Sequence, residues 1–235
     1  MRRLSDFKIP TQHNLHTALE EEIPPYVEDV AVGMDDFDEA YSVKRVEDTP
    51  TLPPYMLTDP KAVGYPDLNF QESIYKLAIH GVLPSPFSGS ILDLGAGRAD
   101  FYQFVKNEGF AGTYVGVEQN ALLVEAAKQK WDIQIKHANF LVGDLSEHDW
   151  IFCNFSLNDI SGSQKWIEFE RQINRFMDAA RRGVVLILPG IPLEGVVESW
   201  PIPNVVDSIA KFGWRFAIDN TLEELEGIYK VVILK

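Results

Sequence analysis

The run Ile91-Leu92-Asp93-Leu94-Gly95-Ala96-Gly97-Arg98-Ala99-Asp100-Phe101 carries the reading of the whole chain. Ser90–Leu94 is short, apolar and bounded by Gly89 and Gly95, the pattern of a strand covered on both faces. Residues 100–108 then read as a helix, so the glycines fall in a strand-to-helix turn. Gly95 and Gly97 permit positive φ and let a ligand approach the backbone. The first helical turn beyond them offers unpaired N–H groups and a partial positive charge. A nucleotide-type site at the carboxyl end of a buried strand is the expected feature.

Spacing separates the ligand classes. A dinucleotide fingerprint needs a third glycine three residues after the second, and Asp100 stands there, which disfavours nicotinamide and flavin. No Gly-Lys-Ser/Thr follows, which excludes a P-loop. What remains is an acid two residues before the first glycine, Asp93, in an Asp-Leu-Gly-Ala-Gly run. That run resembles the first motif of the class I S-adenosylmethionine-dependent methyltransferases. The resemblance implies S-adenosylmethionine as cofactor, with Asp93, Gly95, Ala96 and Gly97 in contact with it.

Two further strand ends extend the match. Residues 113–117 form a second β-rich run ending at Glu118, 21 residues past Gly97. An acid at this place in a doubly wound sheet can accept from both ribose hydroxyls of an adenosyl ligand, with Gln119 beside it. A helix at 121–131 leads to a third strand at 133–138, finishing at Asn139-Phe140. In the family resembled, a polar group followed by an apolar one here addresses the adenine, and Asn139 and Phe140 fit that type; Asp144 is the second candidate for the polar contact.

Residues 150–155 read as a fourth strand, and Asn154 through Asp159 leave its carboxyl end, where the resemblance implies that the acceptor meets the sulfonium methyl. Asn154 and Asp159 are the candidate catalytic groups, Asn154 also lying on the cofactor side. A capping role before the next helix competes for Asn158 and Asp159. Asn154 lacks the two following prolines of amino-directed DNA methyltransferases, and Cys153 lacks the preceding proline of cytosine-carbon enzymes, so neither class is assigned.

The remaining elements complete one sheet. Trp166, Phe169, Ile173, Phe176, Met177 and Ala180 repeat at helical intervals over 166–182, with Arg181, Arg182 and Gly183 at the helix end. A fifth strand at 184–188, a helix at 203–212 and strands at 214–219 and 229–234 follow, the last connection being too short for a parallel crossover. Ahead of the glycine turn, 69–80 reads as a helix with Asn69 as N-cap and Gly81 as its stop. Tyr65 and Tyr75 would touch the ligand or cover the core. The expected fold is α/β: a doubly wound, mainly parallel seven-stranded sheet with an antiparallel last strand over 61–235, preceded by an extended N-terminal arm over 1–60.

The arm stands apart in composition. It holds 13 acidic and 5 basic residues, the pairs Pro24-Pro25 and Pro53-Pro54, and one possible short helix near 11–22. Such a segment cannot bury a core of its own, yet Phe7, Tyr26, Phe37, Tyr41 and Tyr55 recur through it. It should therefore lie on something: its own domain as a lid, a protein partner, or a second copy of the chain.

A net charge of −14 opposes non-specific binding to nucleic acid. Cys153 is the only cysteine, which rules out an intrachain disulfide and a cysteine-based zinc cluster and fits a reducing, cytoplasmic location. No metal site and no membrane span are expected. Two functions stay open: a methyltransferase acting on a protein side chain, a small molecule or a nucleobase, and a binding or structural protein that keeps the fold and is anchored in an assembly by its arm.

Overall fold

In the computed structural model, residues 52, 54–157, 160–192, 198–220 and 225–235 are described. The possible arm helix near 11–22 and Asp159 lie outside them. A short helix α1 (Pro54–Thr58) and a 3-10 turn (Pro60–Val63) precede helix α2 (Leu68–Ile79). Then follow β1 (Ser90–Leu94), α3 (Asp100–Asn107), β2 (Thr113–Glu118), α4 (Ala121–Lys130), β3 (Gln134–His137) and β4 (His148–Asn154). The chain closes with α5 (Lys165–Ala179), β5 (Ala180–Pro189), α6 (Ile202–Ala210), β6 (Arg215–Asp219) and β7 (Ile228–Leu234).

The strands form one sheet in the order β3-β2-β1-β4-β5-β7-β6. Strands β3 to β5 pair in parallel, and β7 runs antiparallel to both neighbours. This is the expected doubly wound sheet with a reversed last strand. Strand alternation sends Ile91, Phe152 and Val185 to one face, where they pack against α2, α3 and α4. It sends Leu92, Ile151 and Leu186 to the other, under α5 and α6. Each fully buried Leu, Ile or Phe of these layers contributes roughly 1.5–3 kcal/mol, which fixes the strand register. Because β1 lies between β2 and β4, the winding reverses there, the topological switch point at whose carboxyl edge open α/β sheets bind ligands.

Two element boundaries differ from the sequence expectation. Helix α2 is capped by Asp67 rather than Asn69: the Asp67 carboxylate accepts the Phe70 N–H at 2.9 Å. Helix α5 stops at Ala179, because β4 begins at His148 and pairs with Ala180, drawing Arg181 and Arg182 into β5. Gly183 sits in that register because a Cβ there would lie 2.8 Å from the Trp150 ring and closer still to the Ile233 carbonyl. No helix among the described residues is long and apolar enough to cross a membrane.

Residues 54–60, counted with the arm by composition, lie on the domain. Met56 and Ala62 are buried together against Leu123 of α4. Asp59 caps the 3-10 turn through the Lys61 N–H at 2.9 Å. A chain beginning at Ala62 is therefore expected to melt below one beginning at Leu52. Loss of the Met56 seat alone is worth roughly 2 kcal/mol, or about 4–8 °C for a domain of this size, read by parallel thermal melts.

Candidate functional site

At the end of β1 the chain turns within three residues, with Gly95 at φ 72 and Gly97 at φ 56 in the left-handed region that a side chain would strain. The end of β2 holds this turn. Gly95 and Ala96 donate their N–H groups to the Val117 carbonyl at 2.8 and 3.0 Å, and Gly97 donates to Glu118 Oε2 at 2.9 Å. Glu118 Oε1 accepts the Asn120 N–H at 2.8 Å. Asn120 Oδ1 in turn accepts the Leu122 N–H at 3.0 Å and caps α4. Gly116 lets Ala96 approach the sheet, since a Cβ on it would lie 2.9 Å from the Ala96 Cβ. The room left by the two missing side chains of the turn is filled from the protein, by Ser156 against Gly95 and by Val63 against Gly97.

Beneath the turn lies a buried polar cluster on the α2–α3 face. Asp93 is 2% exposed, and the Tyr114 hydroxyl donates to its Oδ2. Burial pushes the Asp93 carboxyl up to about 7; the Tyr114 hydrogen bond acts against that rise and the Glu118 charge adds to it. Tyr65 and Tyr75 close the cluster from α2 and the segment before it, with ring centroids 5.8 Å apart. The Gln71 amide donates to the Tyr75 hydroxyl at 3.0 Å and to Asp100 Oδ2 at 3.3 Å. Burial raises both tyrosines well above the usual phenol range, with the Asp93 charge adding to it. Both cover the core; Tyr65 also faces the Phe155 ring at 6.4 Å.

The other candidate residues lie around the same edge. Phe140 is buried beside Gly95 and packs on Phe176 at 6.1 Å. Asn139 is exposed, and its Oδ1 accepts the Leu141 N–H at 2.9 Å, so it shapes its own turn. Gln119 is partly exposed and accepts, through its carbonyl, a 3.0 Å contact from His137 Nε2. Asn154 ends β4, and its Oδ1 is enclosed with no donor among the described residues. Phe155 follows at φ 60, unusual for a bulky residue. That conformation lets its N–H bond the Ile187 carbonyl at 3.1 Å and brings the Ser156 hydroxyl within 3.1 Å of the Asn154 carbonyl. The structure thus gathers Asp93, Gly95–Gly97, Glu118, Phe140 and Asn154 at one edge, with Gln119 and Asn139 on its outer flank.

No family model matches the chain, and no curated protein matches it in sequence. Solved structures do match in shape. The magnesium protoporphyrin IX methyltransferase of Synechocystis PCC 6803, with bound SAM, superposes at a TM-score of 0.53 and 12% identity over 87% of this chain and 92% of that one. The DhpI-SAM-HEP complex gives 0.54 and 13% over 71% and 87%. A SAM-dependent methyltransferase of Leishmania major gives 0.55 and 15% over 70% and 72%. This is the Rossmann-like methyltransferase fold. At such identities the likeness is one of fold, and no subfamily is indicated.

Two arginines that sequence reasoning missed hold the loops of this methyltransferase fold in place. Arg98, 2% exposed, pairs with Asp100 at 2.6 Å and donates to the carbonyls of Asp59 at 2.6 Å and of Met56 and Thr58 at 3.3 Å. Asp100 also pairs with Lys130 at 2.7 Å. Arg175 of α5 donates to the carbonyls of Phe140 at 3.1 Å and Leu141 at 2.7 Å and also reaches Gly143, fixing the loop after β3.

The raised Asp93 carboxyl has a consequence for stability. Its folded value lies above the unfolded one, so its contribution is fully present below about pH 4 and is lost as pH rises through about 7. Asp93→Asn keeps an acceptor for Tyr114 and removes the titration. The variant is expected to match the parent near pH 3.5 and to exceed it at pH 8 by on the order of 2–4 kcal/mol, measured as denaturant midpoints at the two pH values.

Proposed function

We propose that the protein transfers the methyl group of S-adenosylmethionine to an acceptor presented at the turn after β4. The observation that carries this reading is the meeting of three features at the carboxyl ends of β1, β2 and β4. These are the glycine turn, the Glu118 carboxylate oriented by the Gly97 and Asn120 N–H groups, and the Asn154 amide oxygen that has no donor among the described residues. A buried acceptor without a donor costs about 1–3 kcal/mol, and a ligand N–H or O–H at this edge would relieve it. Neighbouring Phe155 at φ 60 adds local strain at the same place, as residues at working sites often do.

When bound, the cofactor supplies a sulfonium methyl already activated for displacement. The chain's own task is then alignment and exclusion of water. Glu118 would accept from the ribose hydroxyls, and Asp93, once ionised, would favour the ligand's positive charge. Phe140 would cover the adenine ring, while Asn139 and Gln119 would border it. Asn154 would orient the acceptor or the cofactor. Asp159, proposed as a proton acceptor, lies outside the described residues. The acidic arm would serve a separate contact with an electropositive protein surface or a second copy, and a cytoplasmic location fits the whole.

Calorimetric titration with S-adenosylhomocysteine tests the reading. Saturable binding is expected, weakened about tenfold or more by Glu118→Gln, which corresponds to about 1.4 kcal/mol. Asn154→Ala should leave affinity within about threefold while lowering radiolabelled methyl incorporation in a cell extract by a much larger factor, because its contact would be made to the acceptor. Neither heat nor a thermal shift at saturating ligand would overturn the cofactor assignment.

A further inference from the structure

We propose that residues 54–64 form a strap that closes over this cofactor site, and that Arg98 is the positioning residue that latches it; the inference rests on the cofactor reading above. The glycine turn is bounded on two flanks. On one, Ser156 fits against Gly95 from a turn pinned by the Phe155–Ile187 backbone bond. On the other, Val63 fits against Gly97. That second flank is built only of a five-residue helix and a four-residue 3-10 turn, pieces too short to hold their shape without outside contacts.

Two anchors supply those contacts. Met56 and Ala62 sit on Leu123. The Arg98 guanidinium, fixed by Asp100, gathers the carbonyls of Met56 and Thr58 where α1 ends and that of Asp59, which also accepts the Ala62 N–H. At the end of the strap Gly64, at φ 85, joins it to the segment leading into α2 and provides a hinge. Lifting the strap about Gly64 breaks the Arg98 bonds and uncovers the Gly97 side of the turn without disturbing any strand. Closure restores them, so Arg98 acts on ligand residence through the strap and needs no contact with the ligand.

Hydrogen exchange on the full chain, with and without saturating S-adenosylhomocysteine, reads the strap directly. In the parent, exchange across 54–64 is expected to slow about tenfold or more on binding. Arg98→Ala should abolish that ligand dependence and raise the dissociation rate in stopped flow about tenfold, with association within about threefold, since affinity changes of this kind lie mainly in dissociation. Arg98→Lys, whose single ammonium cannot span three carbonyls, should fall between. Met56→Ala loosens the other anchor without touching charge and should act in the same direction. Unchanged exchange across 54–64 in a parent that binds by calorimetry, or an unchanged dissociation rate in Arg98→Ala, would overturn the strap. If the parent binds nothing, the cofactor reading fails; the latch then stands if Arg98→Ala still speeds ligand-free exchange of 54–64, and falls if it does not.

Discussion

The bond from the Gly97 N–H to the Glu118 carboxylate, 2.9 Å long, is the constraint on which the carboxyl edge depends. It joins the first strand's turn to the end of the second strand. Because the second carboxylate oxygen takes the Asn120 N–H, the same side chain also sets where α4 begins. A charge-assisted pair of this kind is stronger than a neutral amide bond. It spends an ionised group on backbone order, and that order places Gly95 against Ser156 and hence β1 against the turn after β4. Removing the carboxylate would leave two enclosed N–H groups seeking acceptors, so the glutamine variant is the informative change and alanine is not.

The Asp93 cluster shows the opposite economy of charge. A carboxyl raised to about 7 by burial weakens the folded state at neutral pH, and Tyr114 offsets only part of that effect. A protein optimised for stability alone would place an apolar residue there, as it does at Ile91 two positions earlier on the same face. Under the proposed function, the sulfonium and ammonium of the ligand would be positive partners for this acid.

What was legible in the sequence follows from the range over which each feature is decided. The strand, turn and helix of 90–108 rest on local periodicity and on glycines that only a positive φ explains; the other strands rest on the same kind of pattern, and the reversed last one on a connection too short for a parallel crossover. Glu118 was found because a strand end after a helix of fixed length lands at a fixed offset. The end of α5 was misplaced because Arg181 and Arg182 suit a helix terminus locally, and only pairing of Ala180 with His148 draws them into the sheet. The Tyr114–Asp93 contact could not be read either. It needs the register that sets Asp93 opposite Gly116, so that Tyr114 lies diagonally on the same face. Arg98 and Arg175 were missed for a further reason: their acceptors are main-chain carbonyls, which carry no side-chain identity for a spacing argument to find.

Those arginines also bear on the acceptor. Arg98, Arg175, Lys130, Lys165, Lys230 and Lys235 direct their charge onto carbonyls at 56–59, 140–143, 80, 199 and 177–180 and onto buried or half-buried carboxylates. With 21 basic residues against 35 acidic ones in the chain, each cation used internally leaves the outer surface more negative than the net charge of −14 already implies. Arg181, Arg182 and Lys211 stay outside and stand beside Asp149 and Glu170, and Lys61, Lys76, Lys106, Lys128, Lys136, Arg171 and Arg215 are exposed as well. A polyanionic acceptor would meet the repulsion of a net charge of −14 over the chain as a whole. A neutral or cationic acceptor would meet none, and the 13 acidic against 5 basic residues of 1–60 contribute most of that net charge.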